Sequence, residues 1–275
     1  MRILSLFDWI SCWMIALERA WIKVDKYYAS EIDKYATQVS EKNYPNIIRL
    51  WDVNNWRDWN LWKIDLIIWW SPCQWFSFAW KQLAFDDPRS KLFFTMVDII
   101  NHYKPKYFLL ENVKMKKEYQ DVITEYMWVS PIEINSALVS AQNRKRLYWT
   151  NIPWVDQPQD KWILLKDVLE NEVDEKYYMN KVQIEWVIKS NYRERKPYAV
   201  TSDKCWTIKV WWDIKRIILG NQKWRYLTPI EYERLQTVPD NYTNVVSNSQ
   251  RYKMLWNWWT VDVVAHIFNY LKPSK

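Results

Sequence analysis

Three polar clusters in this 275-residue chain carry residue types that do covalent chemistry, and two of them directly follow short apolar runs. Asp65-Leu-Ile-Ile leads into Trp69-Trp70-Ser71-Pro72-Cys73-Gln74, which sets a cysteine on a loop after a strand. A thiolate is a strong nucleophile, but a lone cysteine is more often a small buried hydrophobe, so Cys73 gains meaning only from its neighbours. Tyr107-Phe-Leu-Leu110 leads into Glu111-Asn112-Val113, a carboxyl and a carboxamide at a second strand end. A carboxyl there suits proton transfer and equally suits the positive end of a helix dipole. Gln142-Asn143-Arg144-Lys145-Arg146 adds two guanidinium groups two residues apart, which on a strand would share one face. Alone, that run also reads as a solvated basic segment. Together a nucleophile, an acid and paired arginines could attack, protonate and hold a planar or anionic group.

Such loops need strands to hold them. Ile3–Phe7, Lys26–Ala29, Asp65–Ile68 and Tyr107–Leu110 are short apolar runs of the kind buried in parallel sheets. Helical patterns lie between them at Ile10–Ala20, Asp33–Asn43, Lys91–His102 and Lys116–Met127. The alternation predicts an open α/β sheet with ligands beyond the carboxyl ends of its strands. After Tyr148 it stops. Residues from about 153 to 225 are irregular and charged, with strand-like stretches at Tyr198–Val200, Thr207–Val210 and Arg216–Leu219, and they predict a small separate lobe. Helical segments at Pro229–Gln236 and Thr260–Leu271 close the chain. The expected division is a catalytic body of residues 1–152 completed by 241–275, and a lobe of 153–240.

Composition narrows the class. Lys and Arg number 39 against 32 Asp and Glu, a net charge of +7 that suits a polyanionic partner and equally a basic solvated surface. Three unevenly spaced cysteines make no disulfide framework, so a reducing cytoplasm is expected. Two histidines without CxxC partners predict no metal site. No apolar run approaches the roughly 18 residues that a membrane span requires, and a monomer is the default expectation. The unusual feature is a single glycine, Gly220, beside 23 tryptophans. Tryptophan stands where tight turns are expected, as in Phe7-Asp8-Trp9, Trp69-Trp70-Ser71-Pro72 and Trp256-Asn257-Trp258. Glycine supplies positive φ and close backbone approach; tryptophan supplies neither.

Taken in order, the motifs resemble those of the DNA (cytosine-5)-methyltransferase family. Phe7-Asp8-Trp9 is similar to the family's first cofactor motif, whose third position is normally glycine. Pro72-Cys73-Gln74 resembles the nucleophile motif, Glu111-Asn112-Val113 the acid motif, and Gln142 to Arg146 the Q-x-R-x-R motif. Arg225-Tyr-Leu227-Thr228-Pro-Ile-Glu231-Tyr-Glu-Arg234-Leu235-Gln236 is similar to the ninth motif, and Trp256-Asn257-Trp258-Trp259-Thr260-Val261 to the tenth, which normally begins Gly-Asn. The resemblance covers residues 1–150 and 225–265.

It implies a Rossmann-like S-adenosylmethionine-dependent methyltransferase sheet with a small target-recognition lobe acting on duplex DNA. Glu31 would meet the cofactor's ribose and Asp52 its adenine, with Phe7, Asp8, Trp9, Ile32, Val53, Pro72, Asn257 and Trp258 completing that site. Cys73 would add to C6 of a cytosine flipped from the duplex. Glu111 would hold a proton at N3, Asn112 would fix the loop, and Arg144 with Arg146 would grip the O2 region and a phosphate. By the same resemblance, Trp9, Trp21, Trp51, Trp70, Trp80 and Trp256 occupy glycine positions, so strain and blocked space imply impaired or lost activity and a weakened fold. Two other classes make different demands. A single-stranded nucleic-acid binder would need its indoles on one shared platform. A glycine-to-tryptophan substituted product would keep the family's sequence without its pocket.

Overall fold

In a computed structural model, the structure describes residues 1–70, 88–189, 197–199, 203–208, 214–219 and 223–271. The strand–helix alternation folds as a mixed α/β protein. In chain order the first half forms β1 (Arg2–Leu6), α1 (Cys12–Arg19), β2 (Lys26–Ser30), α2 (Lys34–Asn43), β3 (Ile48–Arg49) and β4 (Leu66–Trp70). It continues with α3 (Pro88–Tyr103), β5 (Tyr107–Val113), α4 (Lys117–Met127), β6 (Ile132–Asn135), β7 (Gln142–Asn143) and β8 (Lys145–Thr150). Seven of these strands make one sheet in the order β3-β2-β1-β4-β5-β8-β6. β1 pairs in parallel with β2 and β4, β4 with β5, and β8 runs antiparallel to β5. Strand order therefore reverses between β1 and β4, the position at which doubly wound sheets open a crevice for ligands.

The buried face of the sheet explains its register. Leu4, Leu6, Ile67, Trp69, Leu110 and Trp149 are buried and pack against Met96 and Ile99 of α3 and Ile123 of α4. At helix ends tryptophan takes up backbone conformations that favour glycine. At the end of α1 the Trp21 N–H donates to Glu18 O and the Ile22 N–H to Leu17 O, both at 3.0 Å, the paired bonds of a Schellman cap. The cap requires a left-handed residue, and Trp21 supplies it with φ 58°. Trp128, the C-cap of α4, is also left-handed, at φ 53°. Trp9, Trp51, Trp154 and Trp162 also have positive φ, between 55° and 64°. Trp70 and Trp256, also assigned to glycine positions, lie in a strand and a helix without it.

By contact density the chain forms two compact units. One comprises residues 1–134, 145–157 and 264–275; the other comprises 135–144 and 158–263. The second unit holds α5 (Leu165–Val168), α6 (Lys181–Lys189), β9 (Tyr198–Ala199), β10 (Cys205–Trp206), β11 (Arg216–Ile218), β12 (Trp224–Tyr226), α7 (Pro229–Leu235) and α8 (Asn248–Asn257), and α9 (Val261–Phe268) follows. β10 pairs in parallel with β7, and β9, β11 and β12 form a small sheet. Thr207–Val210 was expected as a strand; the strand instead lies just before it, at Cys205–Trp206, and residues 209–210 fall outside the described ones. α7 begins with a capping box of Thr228 and Glu231 and has Pro229 in its first turn. Glu231 also takes a buried two-point bond from Arg225, at 2.8 and 2.6 Å. No described helix is long and apolar enough to cross a membrane.

Candidate active site

Glu111 and Asn112 lie near the carboxyl end of β5, fully buried. Glu111 pairs with Tyr148 of β8 and Val113 with Arg146, so Glu111 and Arg146 are diagonal neighbours on one face. The Arg146 Nε stands 3.1 Å from Glu111 Oε1, an ion pair whose carboxylate has no solvent exposure. Removing one partner of such a pair leaves an uncompensated buried charge. Arg146 also donates to the Lys145 carbonyl at 2.8 Å. The Asn112 Oδ1 accepts the Val113 N–H at 2.8 Å, which fixes the main chain beyond Glu111. On its other side Glu111 pairs with Trp70, the last residue of β4. Pro72 and Cys73, which follow in sequence, lie outside the described residues.

Arg144 does not share a strand face with Arg146. It stands between β7 and β8, where the Asn135 Oδ1 takes its N–H at 3.0 Å and its carbonyl accepts the Ser136 N–H at 3.0 Å. These local bonds divide the basic run into two short strands. The Arg144 side chain is buried within the second unit and donates to the carbonyls of Trp256, at 3.0 Å, and Trp258. Asn257 is the half-buried last residue of α8. Trp258 is buried, its ring 4.6 Å from that of Trp259.

At the carboxyl ends of β1 and β2 the turn Phe7-Asp8-Trp9 alternates into left-handed backbone, with φ 56° at Phe7, 55° at Trp9 and 58° at Ser11. Glu31 holds the turn: one carboxylate oxygen accepts the Trp9 N–H at 2.9 Å, the other those of Ile32 and Asp33 at 2.8 and 2.7 Å. Burial pushes the Glu31 carboxyl above its usual range, against the pull of those amides. The Asp8 side chain is enclosed. It accepts the Tyr27 hydroxyl at 2.6 Å and the Ser11 hydroxyl, and Ser11 reaches on to Ser40. Burial likewise raises the Asp8 carboxyl, with Ser11, Ser5 and Tyr27 opposing.

Asp52 begins the 3-10 turn Val53–Asp58, its Oδ1 taking the Asn54 main-chain and side-chain N–H groups at 2.9 and 2.8 Å. Ile32 is exposed and Val53 buried. The Trp9 and Trp70 rings, both half-buried, stand 6.3 Å apart at the ends of β1 and β4. The indole pair thus stands at the carboxyl ends of the two strands between which strand order reverses. Tyr27, Ser40 and Gln236 were not singled out from sequence as site residues. Gln236 closes the ninth motif and could have been found there as a polar residue ending an apolar helix face.

With this geometry in view, comparisons place the chain. The description C-5 cytosine-specific DNA methylase matches residues 1–273. A Type II methyltransferase from Neisseria lactamica, M.NlaX, is 27% identical over 99% of this chain and 96% of its own length. M1.ScrFI of Lactococcus lactis subsp. cremoris, also a Type II methyltransferase, is 29% identical over 89% of this chain and 71% of its own. Among solved structures, the Entamoeba histolytica methyltransferase EhMeth superposes with a TM-score of 0.81 at 19% identity, covering 98% of this chain and 97% of its own. S. pombe Dnmt2 gives 0.72 at 17% identity over 97% and 96%. At those identities the structures speak for the fold; the family match over nearly the whole length speaks for descent. The chain belongs to the C-5 cytosine-specific DNA methylase family.

Proposed function

We propose that this chain is framed to methylate C5 of cytosine in duplex DNA through a covalent adduct on Cys73, and that Trp9, Trp70 and Trp256 impair that activity. The observation that carries the reading is the buried Glu111–Arg146 pair beside the end of β4, the strand that leads into Pro72-Cys73-Gln74. The Cys73 thiolate adds to C6, and the electron pair released from the C5–C6 double bond spreads over the ring towards N3 and O2. Glu111 in its acid form delivers a proton at N3 and is left as the carboxylate that pairs with Arg146. Arg146 holds O2 with its fixed fork, and Asn112 keeps the β5 end in place. C5 is then nucleophilic enough to take a methyl group. Loss of the C5 proton to a base reforms the double bond and expels the Cys73 sulfur as thiolate, and N3 returns its proton to Glu111. The target base must leave the stack for this to happen.

S-adenosylmethionine, the cofactor the family implies, supplies the methyl group as a cation equivalent. The residue types present suit one half of it. Glu31 and Asp52 follow β2 and β3, where the ribose and adenine would lie, with Phe7, Ile32, Val53 and Pro72 as further candidates; Asn257 and Trp258 are candidates by the family resemblance alone. The methionine half would meet the Trp9 and Trp70 indoles, whose rings stand 6.3 Å apart at the ends of β1 and β4, and their bulk argues against its fit.

The test is transfer of labelled methyl to duplex DNA by three proteins: the chain itself, the chain with Trp9, Trp70 and Trp256 changed to glycine, and that version with Cys73→Ser. Restoring the glycines should raise transfer by at least about 100-fold, the effect of ~3 kcal/mol of recovered binding. Cys73→Ser should abolish both transfer and covalent trapping of 5-fluorocytosine duplex. Full transfer by the Cys73→Ser protein would remove Cys73 from the mechanism, and full transfer by the original chain would refute the impairment.

A further inference from the structure

The loop that carries Asn257 is held by two side chains from elsewhere in the sequence. Helix α8 ends at Asn257 without a left-handed cap, since Trp258 is extended at φ −90° and ψ 164°. The last carbonyls of such a helix need other donors. Gln236 gives its Nε2 to Leu255 O at 2.7 Å and to Trp258 O at 2.8 Å. Arg144 gives its guanidinium to Trp256 O at 3.0 Å and also to Trp258 O. A cation at the carboxyl end of a helix is favoured by the helix dipole as well. The amide of Gln236 is filled on its other side: Oε1 accepts from Gln142 Nε2 at 3.1 Å and from Thr260 Oγ1 at 3.0 Å. Its main-chain carbonyl accepts the Val261 N–H at 3.0 Å. Gln142, Gln236 and Thr260 have no solvent exposure, and Arg144 has 3%.

We propose that Arg144 and Gln236 are positioning residues: they bracket segment 255–260 by its carbonyls and so fix how Asn257 and Trp258 are presented. The proposal rests on the reading of that segment as part of the cofactor site, and it reassigns Arg144 from gripping the base to holding the loop. Gln142 extends the bracket, because its Oε1 accepts the Ile208 N–H at 3.1 Å while its Nε2 also donates to Leu235 O at 3.0 Å. Within this unit, then, the start of the Q-x-R-x-R run, the end of α7 and the end of α8 share one buried network. Arg146, two residues on, belongs to a different arrangement, the ion pair with Glu111.

The test uses Gln236→Glu, which keeps size but cannot give two N–H bonds, and Arg144→Met, each in the full chain. Hydrogen exchange read by mass spectrometry should speed up about tenfold over residues 257–262, a loss of ~1.4 kcal/mol of local protection. Exchange in β1, β5 and α2 should stay unchanged. Thr260→Val removes a single bond to Gln236 and should give a smaller rise in the same window; it decides the point if the other variants do not fold. In the background with Trp9 and Trp256 changed to glycine, both variants should weaken S-adenosylmethionine binding about tenfold while duplex DNA affinity holds. Unchanged exchange at 257–262, exchange rising throughout the chain, or an equal loss of DNA affinity would each overturn the bracket. If the glycine-bearing background binds no cofactor at all, the account of the tryptophans under the proposed function fails, and the exchange measurement still decides this one.

Discussion

Replacing Trp21, Trp128, Trp154 and Trp162 with glycine should stabilise the protein, although each change deletes the largest side chain there is. All four are left-handed, with φ of 58°, 53°, 64° and 55°. Their exposures of 85%, 81%, 89% and 77% leave little apolar surface to lose. A side chain with a Cβ costs roughly 1–2 kcal/mol in this region. Glycine gives back about 0.4–1 kcal/mol by loosening the unfolded chain. The net gain is therefore about 0.5–1 kcal/mol per site and roughly 2–4 kcal/mol for four. For a chain of this size that raises Tm by about 4–8 °C. The assay is thermal unfolding followed by far-ultraviolet circular dichroism, with a matched set carrying alanine at the same four positions. Alanine keeps the Cβ and hence the strain, so its Tm should remain near that of the parent. If alanine stabilises as much as glycine, the indole and not the backbone is at fault, and the strain argument is wrong.

Two further outcomes follow from buried titratable groups. Burial raises the Asp8 carboxyl above its unfolded value, so between the two values the native state binds the extra proton and stability falls as pH rises. Asp8→Asn should therefore gain stability relative to the parent as pH climbs from about 4, levelling off above the folded value; urea midpoints across pH 4–7 measure this, and a constant difference would contradict it. Burial also pushes the Cys205 thiol up to about 12. In a chain carrying Cys12→Ala and Cys73→Ser, iodoacetamide at a pH of about 8 should label Cys205 only through unfolding, at least ~100-fold slower than in urea. Labelling at the unfolded rate in native buffer would show the site to be open.

The sheet was legible because its signal is redundant. β1, β2, β4 and β5 fall within two or three residues of the apolar runs Ile3–Phe7, Lys26–Ala29, Asp65–Ile68 and Tyr107–Leu110, and the helices between them carry the expected periodicity. β3 and β7, of two residues each, were not legible, because two residues hold no period to read. Helix α8 escaped for another reason. Asn-Ser-Gln-Arg-Tyr-Lys-Met-Leu-Trp-Asn is mostly polar and too short of apolar residues to show a stripe, although Tyr252, Met254 and Leu255 are buried and Arg251 donates to buried Glu233 at 3.0 Å. Tertiary contacts of this kind leave no mark on local pattern.

The site divides along the same line. Residue types at strand ends singled out Glu111 and Arg146 as candidates, each with an equally plain structural reading beside it, and the family resemblance added Glu31. They could not announce partners. Which arginine meets the carboxylate follows from the β5–β8 register, with Val113 opposite Arg146, while Arg144 lies outside β8 with its N–H bonded to Asn135, nine residues away. The spacing of Arg144 and Arg146 suggested a shared face; hydrogen bonding from outside the motif separates them.

The tryptophans show the limit from the other direction. Their oddness was plain in the composition, but only backbone geometry sorts them by consequence. Trp149 and Trp69 are fully buried in the core of the sheet, where bulk is an asset. Trp21 and Trp128 sit exposed on helix ends, where the penalty falls on φ. Trp9 lies in a left-handed turn held by Glu31, and its ring stands 6.3 Å from that of Trp70 at the strand ends, where the proposed function sets the cofactor. Restoring glycine at Trp21 or Trp128 should therefore change stability and leave cofactor binding alone. At Trp9 it should change both, and that difference between positions separates a strained backbone from an obstructed site.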